Sequence, residues 1–461
     1  MSNNPFVRGR GARARCTRGR APCCALLALL ALPMTARAAD PQTRPAVEPP
    51  RAFLNARLIP IAGDEIERGV LLIRDGKIAA VGLADAVAIP ADAERVDLAG
   101  KVVMPGLICT HHHVGGIGGA DDSGPIQPDV RIYDSINIRD SGFRRTVAGG
   151  ITTVNTMPGS GHLLSGQTVY LKLRGGERID DLFIRDDAGN PAGGIKMANG
   201  TNSRRDPPFP GTRGKSAALV REQFIKAQEY REKLRAAGDD ASQRPPRDLA
   251  LEALVEVLDG KRVVHHHTHR ADDIMTVLRL KQEFGFRVVL HHIIEGWKVA
   301  DEIAASGAPC SIILVDSPGG KLEAAETRFE TAAILEKAGA LVAFHTDDWI
   351  TDSRLFLRMA ALGVRGGMSR AGALKAVTLA GAQILDLDPR TGSLEAGKDA
   401  DFIVLSGDPL SVYSRVEQTW VEGRKVFDLA DPTDRLHAVG GFGAGDDQEP
   451  YLCCFPHQHA E

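Results

Sequence analysis

Histidine and aspartate recur in this chain where apolar runs stop. His111-x-His113 follows VVMPGLI, and His265, His266, His267 and His269 follow Val263 and Val264. His291 and His292 follow Val288–Leu290, and His345, Asp347 and Asp348 follow Ala343 and Phe344. Residues two apart on a strand share a face, so His111 and His113 can present both imidazoles to one point while His112 faces away. Imidazole and carboxylate are donors for divalent transition metals. A cation so held lowers the pKa of bound water from about 16 toward 7 and makes it a nucleophile. A single H-x-H is a weak signal, and separate core or surface histidines are the bland alternative. Four clusters with the same strand-end placement point to one shared centre.

The elements that must carry these groups can be read in outline. Short apolar runs at Ile151–Asn155, Gly194–Met197, Arg262–His267, Arg287–His292, Cys310–Leu314 and Leu341–His345 read as strands. Between them Asp272–Phe284, Trp297–Ser306 and Arg328–Gly339 read as helices, each with Gly at its end. The alternation predicts an α/β fold with parallel strands and outer helices, best met by a (β/α)8 TIM barrel over residues 105–392. The histidine clusters then sit at the C-terminal strand ends, where such barrels place their chemistry. Outside the barrel, GVLLIRDGKIAAV (69–81) reads as a hairpin turning at Asp75-Gly76, and QTWVEGRKVF (418–427) as another around Glu422-Gly423. With the strand ADFIVL (400–405) they predict a small composite β-sandwich domain from both chain ends, 51–104 and 393–428. Residues 199–250 read as an irregular, charged insertion carrying a helix over Ser216–Ala237, either a substrate lid or a solvated excursion.

These segments together resemble the amidohydrolase superfamily, in its imidazolonepropionase-like and secreted dipeptidase-like branch. PGLICTHHH resembles the entry motif PGLIDxHxH, and HTHRADDI the strand-five histidine motif. LHHIIEGWKVADEIA resembles the strand-six motif, HTDD the strand-eight aspartate motif, and LKAVTLAGAQILDLDPRTGSLEAGKDADFIVLSGDP the C-terminal signature. The likeness spans roughly residues 51–428. It implies that His111 and His113 bind the more buried of two divalent ions, expected to be zinc. Lys196, in GGIKMANG, would bridge the ions as an N-carboxylated lysine; an ordinary surface lysine is the alternative. His267 and His292 would bind the second ion. Asp347 would ligate and take a proton from the shared water. Of His265, His267 and His269, the family's H-x-H-R spacing selects His267. Of His291 and His292, the distance to Glu295 selects His292. One position departs: the family usually has Asp where Cys109 stands. Cys109 shares the face of His111 and His113, as a small buried residue, a soft ligand or an oxidation-sensitive thiol.

The implied reaction is hydrolysis of an amide or cyclic amide C–N bond by a metal-activated hydroxide, with Asp347 passing the proton to the leaving nitrogen. With an unmodified Lys196, a one-metal variant would use His292 on the tetrahedral oxygen. The partner is a small-molecule or short-peptide substrate. His162 and Gln167, in the Gly-rich loop GSGHLLSGQ, are candidates to line its pocket, beside a purely structural turn. His269 is a further candidate. Arg270 could clamp a substrate carboxylate, or simply pair with Asp272 or Asp273. A prolidase-like dipeptidase and a non-catalytic metal-binding barrel are the competing readings. No G-x-S-x-G elbow supports a serine hydrolase.

The first forty residues read as a separate object. Six Arg between Arg8 and Arg20 precede an apolar stretch, Cys23 to Met34, and Ala36-Arg37-Ala38 is a small-x-small cleavage pattern. This is the plan of a secretory signal peptide (1–38) followed by a Pro-rich linker (39–50), and it predicts export, to the periplasm or beyond. Its removal takes away seven Arg and no acid, moving the formal charge from −3 to −10. Such an acidic chain is a poor nucleic-acid binder. No apolar run reaches the length of a membrane span. Cys109, Cys310, Cys453 and Cys454 are too few for a disulfide scaffold, and the tail 429–461 carries a further His457-x-His459 without a strand or carboxylate beside it.

Overall fold

The computed structural model describes residues 49–117, 121–314, 321–348, 350–440 and 444. Residues 48–461 form one compact unit, and everything below concerns it. The leader, its cleavage site and the tail residues Cys453, Cys454, His457 and His459 lie outside the described residues.

The strands in chain order are β1 (Arg51–Leu58), β2 (Ile66–Arg74), β3 (Lys77–Leu83), β4 (Glu94–Asp97), β5 (Val102–Pro105), β6 (Leu107–His112), β7 (Ile151–Thr156), β8 (Leu164–Gln167), β9 (Val169–Lys172), β10 (Ile195–Ala198), β11 (Val264–Thr268), β12 (Val288–His292), β13 (Cys310–Ile312), β14 (Val342–Phe344), β15 (Phe402–Leu405), β16 (Val416–Val421) and β17 (Arg424–Asp428). One eight-stranded sheet draws on both chain ends in the order β17-β16-β15-β5-β1-β2-β3, with β4 alongside β1. It is a single hydrogen-bonded sheet, where two facing sheets were expected. Both hairpins turn as their sequences require. Asp75 and Gly76 have φ of 51° and 74°, Glu422 and Gly423 of 48° and 74°, the left-handed pair of a two-residue turn. The two turns also touch: a Cβ on Gly423 would lie 3.2 Å from the Gly76 Cα, so glycine lets the chain ends meet. Beneath them Phe53, Phe402 and Trp420 pack at ring distances of 5.0–5.4 Å.

The middle of the chain holds the order β14-β13-β12-β11-β10-β8 and, separately, β6-β7-β9. β10 to β14 are mutually parallel, as are β6 and β7. The stretch 164–172 departs from the expected pattern, because β8 runs antiparallel to β10 and β9 antiparallel to β7. The reason is loop length. Only residues 157–163 separate β7 from β8, too few for the crossover that a parallel neighbour needs. No ladder pairs β14 with β6 among the described residues. Their ends are tied by the Asp347 amide donating to the His111 carbonyl at 3.2 Å.

The expected helices are Ala271–Phe284, Ala300–Ser306 and Glu330–Ala338, ended by Gly285, Gly307 and Gly339, all left-handed. Within 199–250 the helix is longer than expected, Arg213–Ala237, and Thr212 caps it by accepting from the Lys215 amide at 3.2 Å. One face of it packs into the core. Phe224 is fully buried and stacks on Phe284 and Phe286, both at 5.1 Å. No described helix is long and apolar enough to cross a membrane.

Candidate metal centre

The β6 strand sends alternate side chains to opposite sides. His112 turns outward, where it accepts from the Val114 amide at 3.0 Å and pairs with Ser353 Oγ at 2.9 Å. His111 and His113 turn inward, and their Nε2 atoms are 3.2 Å apart. His113 Nδ1 donates to the Met157 carbonyl at 2.8 Å, which leaves the Nε2 lone pair free. Asp347 Oδ1 lies 2.9 Å from that atom and 3.3 Å from His111 Nε2. Lys196 Nζ, from β10, completes the group at 3.0 Å from His111 Nε2. Donors about 2.0–2.1 Å from one tetrahedral ion stand roughly 3.3 Å from each other, the spacing seen here.

Burial sets the charge of this cluster. Lys196 is fully enclosed, and its pKa is pushed down to about 7, so the neutral amine is accessible near neutrality. Burial would raise Asp347, but the adjacent His113, His345 and Lys196 outweigh it and hold its pKa below the usual carboxylate range. His111, His267 and His292 are driven well below the ordinary imidazole value, first by burial. All three are therefore neutral, the form that donates a lone pair to a metal.

Beside this group stand His267 and His292, with ring centroids 4.4 Å apart. Both nitrogens of His267 and Nε2 of His292 are buried without a hydrogen-bond partner, an arrangement that a cation would relieve. Their neighbours in sequence are engaged elsewhere. His265 pairs with Tyr170 and His291, and His291 with His111. Consecutive residues of a strand face opposite ways, yet both His291 and His292 point inward. The cause is a left-handed backbone at His292 (φ 70°) and Ile293 (φ 38°) that swings the second ring back. Asp347 is likewise left-handed at φ 50°, and such backbone strain gathers where side chains must converge.

His269 joins His267 at 4.5 Å between rings, with both its nitrogens unpartnered. Opposite them is Glu323, a buried carboxylate that the sequence did not disclose. Its Oε2 accepts from the Thr201 amide at 3.0 Å and from Arg213 at 3.4 Å, while Oε1 has no partner. It lies in a polar stretch with no strand or motif to flag it. Three groups of donors among the described residues are close enough to hold a metal ion: His111, His113 and Asp347; His111, His291 and His345; and His267, His269 and Glu323.

Other expected residues have partners of their own. Gln167 bonds the Pro128 carbonyl at 3.2 Å and faces Ile195 at the start of β10, because 164–172 runs downward. Arg270 takes the ion-pair alternative, with two bonds of 2.9 Å to Asp272 on the surface. His162 is buried against the Phe209 ring at 5.1 Å and contacts Arg205 at 3.4 Å, on the segment following β10. Cys109 is not poised as a ligand. Its Sγ accepts from the Thr346 amide at 3.3 Å and contacts the His111 carbonyl at 3.2 Å, and burial raises the thiol pKa to about 11. It serves as a small buried acceptor tying β6 to the chain after β14.

A mixed α/β scaffold that gathers imidazoles, a lysine and a carboxylate at its strand ends is the arrangement of the amidohydrolases. The chain belongs to the amidohydrolase family, whose pattern matches residues 102–427. It is similar to an amidohydrolase of solved structure from Thermotoga maritima, with 34% identity, 82% of this chain and 99% of that one covered, and a TM-score of 0.76. It is also similar to Amidohydrolase tasK of Hapsidospora irregularis, 26% identical over 403 residues, although this chain spans only 40% of that protein's length against 81% of its own. Imidazolonepropionase of Deinococcus radiodurans is 27% identical over 374 residues, 74% of this chain and 86% of that one. The chain is accordingly a hydrolase of the amidohydrolase family.

Proposed function

We propose that this protein hydrolyses an amide or cyclic amide C–N bond in a small molecule or short peptide, at two divalent ions in a closed (β/α)8 barrel. The observation that carries this reading is the convergence of His111 Nε2, His113 Nε2, Lys196 Nζ and Asp347 Oδ1, beside the partnerless nitrogens of His267 and His292. We take the first four residues to hold one ion, and His267 and His292 the other. Lys196 would help to hold them as an anionic carbamate, formed when its neutral amine makes a C–N bond to carbon dioxide and loses a proton. When bound, the ions supply Lewis-acid activation of water and carbonyl. Asp347, ionised and aimed at His113, takes the proton released as water adds to the carbonyl and passes it to the leaving nitrogen. A scaffold that had lost catalysis would have no reason to keep competent donors at all six positions. The composite sheet forms a small domain of 51–104 and 393–428, and residues 1–38 direct export.

Elemental analysis combined with a substrate panel tests this reading. About two equivalents of zinc or a similar ion per chain, and hydrolysis of N-acyl or cyclic amides lost on chelation, are expected. Full activity in a metal-free protein, or in Asp347→Asn, would overturn it.

A further inference from the structure

His265, His291 and His345 are fully enclosed and have no place in the centre just described. We infer that His291 and His345 are positioning residues. Each fixes one metal-facing imidazole, His111 or His292, in a single tautomer through a directional chain of hydrogen bonds. This rests on the reading above, in which His111 and His292 offer Nε2 to the ions.

His111 Nε2 faces His113, Lys196 and Asp347 at 3.0–3.3 Å, so a lone pair there puts the ring proton on Nδ1. That nitrogen is 3.2 Å from His291 Nδ1. Two neutral imidazole nitrogens share one proton, so His291 accepts at Nδ1 and carries its own proton on Nε2. The latter lies 3.0 Å from His265 Nδ1, which must also accept. His265 then donates from Nε2 to the Tyr170 hydroxyl at 3.2 Å. One choice at the metal thus determines three rings.

The second chain obeys the same rule. His292 Nε2 is the partnerless nitrogen, so Nδ1 carries the proton and donates to His345 Nε2 at 3.2 Å. His345 donates from Nδ1 to Ser311 Oγ at 2.8 Å, and the Ser311 hydroxyl turns to Thr110 Oγ1 at 2.6 Å. Reversing either chain would aim an N–H at the ion. Metal-bound histidines are commonly held by a carboxylate, carbonyl or water. Here neutral imidazoles stand in that place, so each ligand is oriented without adding negative charge to a site that already gathers a carbamate and Asp347.

The test uses the zinc-loaded full chain with 15N-labelled histidine. Long-range 1H–15N spectra are expected to show His265 and His291 as Nε2–H tautomers and His345 as the Nδ1–H tautomer. The opposite tautomer at His291 or His345 overturns the inference. His345→Leu should weaken zinc binding by about 10–100-fold, the range for such supporting partners. His345→Gln, whose amide can both accept and donate, should recover most of that loss. Equal affinity in wild type and the Leu variant overturns the inference, and if the Leu variant does not fold, the wild-type spectra decide. A wild-type chain that binds no zinc would instead sink the metal-centre reading itself.

Discussion

Lys196 Nζ lies 3.0 Å from His111 Nε2, and the amine is fully buried with the Met157 thioether 3.1 Å away. Both contacts are acceptors that an ammonium could satisfy, so it is burial that favours the neutral amine, the form that can be carboxylated. With 13C-bicarbonate, the metal-loaded protein should show one carbamate carbon resonance that is missing in Lys196→Arg. That variant should keep at most one equivalent of metal and lose at least about 100-fold in kcat, since it leaves a permanent cation where a bridging anion belongs. A full metal complement in the arginine variant would refute the bridging role.

The same lysine sets a pH dependence in the metal-free, bicarbonate-free protein. Its pKa is about 7 when folded, against 10.5 when exposed. Between these values the unfolded chain holds a proton that the folded chain lacks, so stability rises with pH over that window and falls as pH drops toward 7. The urea midpoint should therefore increase from pH 7 to pH 9, and Lys196→Met should flatten the rise. An unchanged slope in the methionine variant would show that Lys196 is not the source.

Much of this site was legible before any coordinates. His111, His113, Lys196, His267, His292 and Asp347 stand together because each closes or occupies an apolar strand, and strand ends in a parallel sheet converge. Direction and distance were not legible. Gln167 looked like a loop residue near the pocket, but a strand running downward carries it to the start of β10. Arg270 had a carboxylate two residues away, and local ion pairing won. Glu323 approaches His269 only through tertiary folding, and no periodicity or motif signals that. The tandem pair His291–His292 was legible as a choice of one, whereas the left-handed backbone at His292 lets both serve inside.

Buried neutral histidines make the apo protein acid-sensitive. The folded pKa of His265 and His345 falls to about 3, and that of His266 and His269 to about 4, burial being the main cause. The unfolded chain takes up these protons near pH 6.5, so stability is present above that value and declines below it. Several groups titrate together, and the linkage should exceed one proton. The metal-free urea midpoint should drop steeply from pH 7 to pH 5, with a proton uptake on unfolding of two or more. An uptake near zero would contradict the buried neutral state.

Cys109 separates a structural thiol from a reactive one. Its Sγ is enclosed and held by the Thr346 amide, and its raised pKa leaves almost no thiolate near neutrality. Native protein treated with iodoacetamide at pH 7.5 should remain unmodified at Cys109 by peptide mapping, and become labelled once denatured. Cys109→Ala should cost about 1–3 kcal/mol, through a small cavity and a Thr346 amide left without its acceptor. Its metal content should stay at the wild-type level, because the sulfur faces the backbone of the 345–347 turn and not the ions. Loss of one equivalent of metal in Cys109→Ala, with the fold intact by circular dichroism, would instead make the sulfur a ligand.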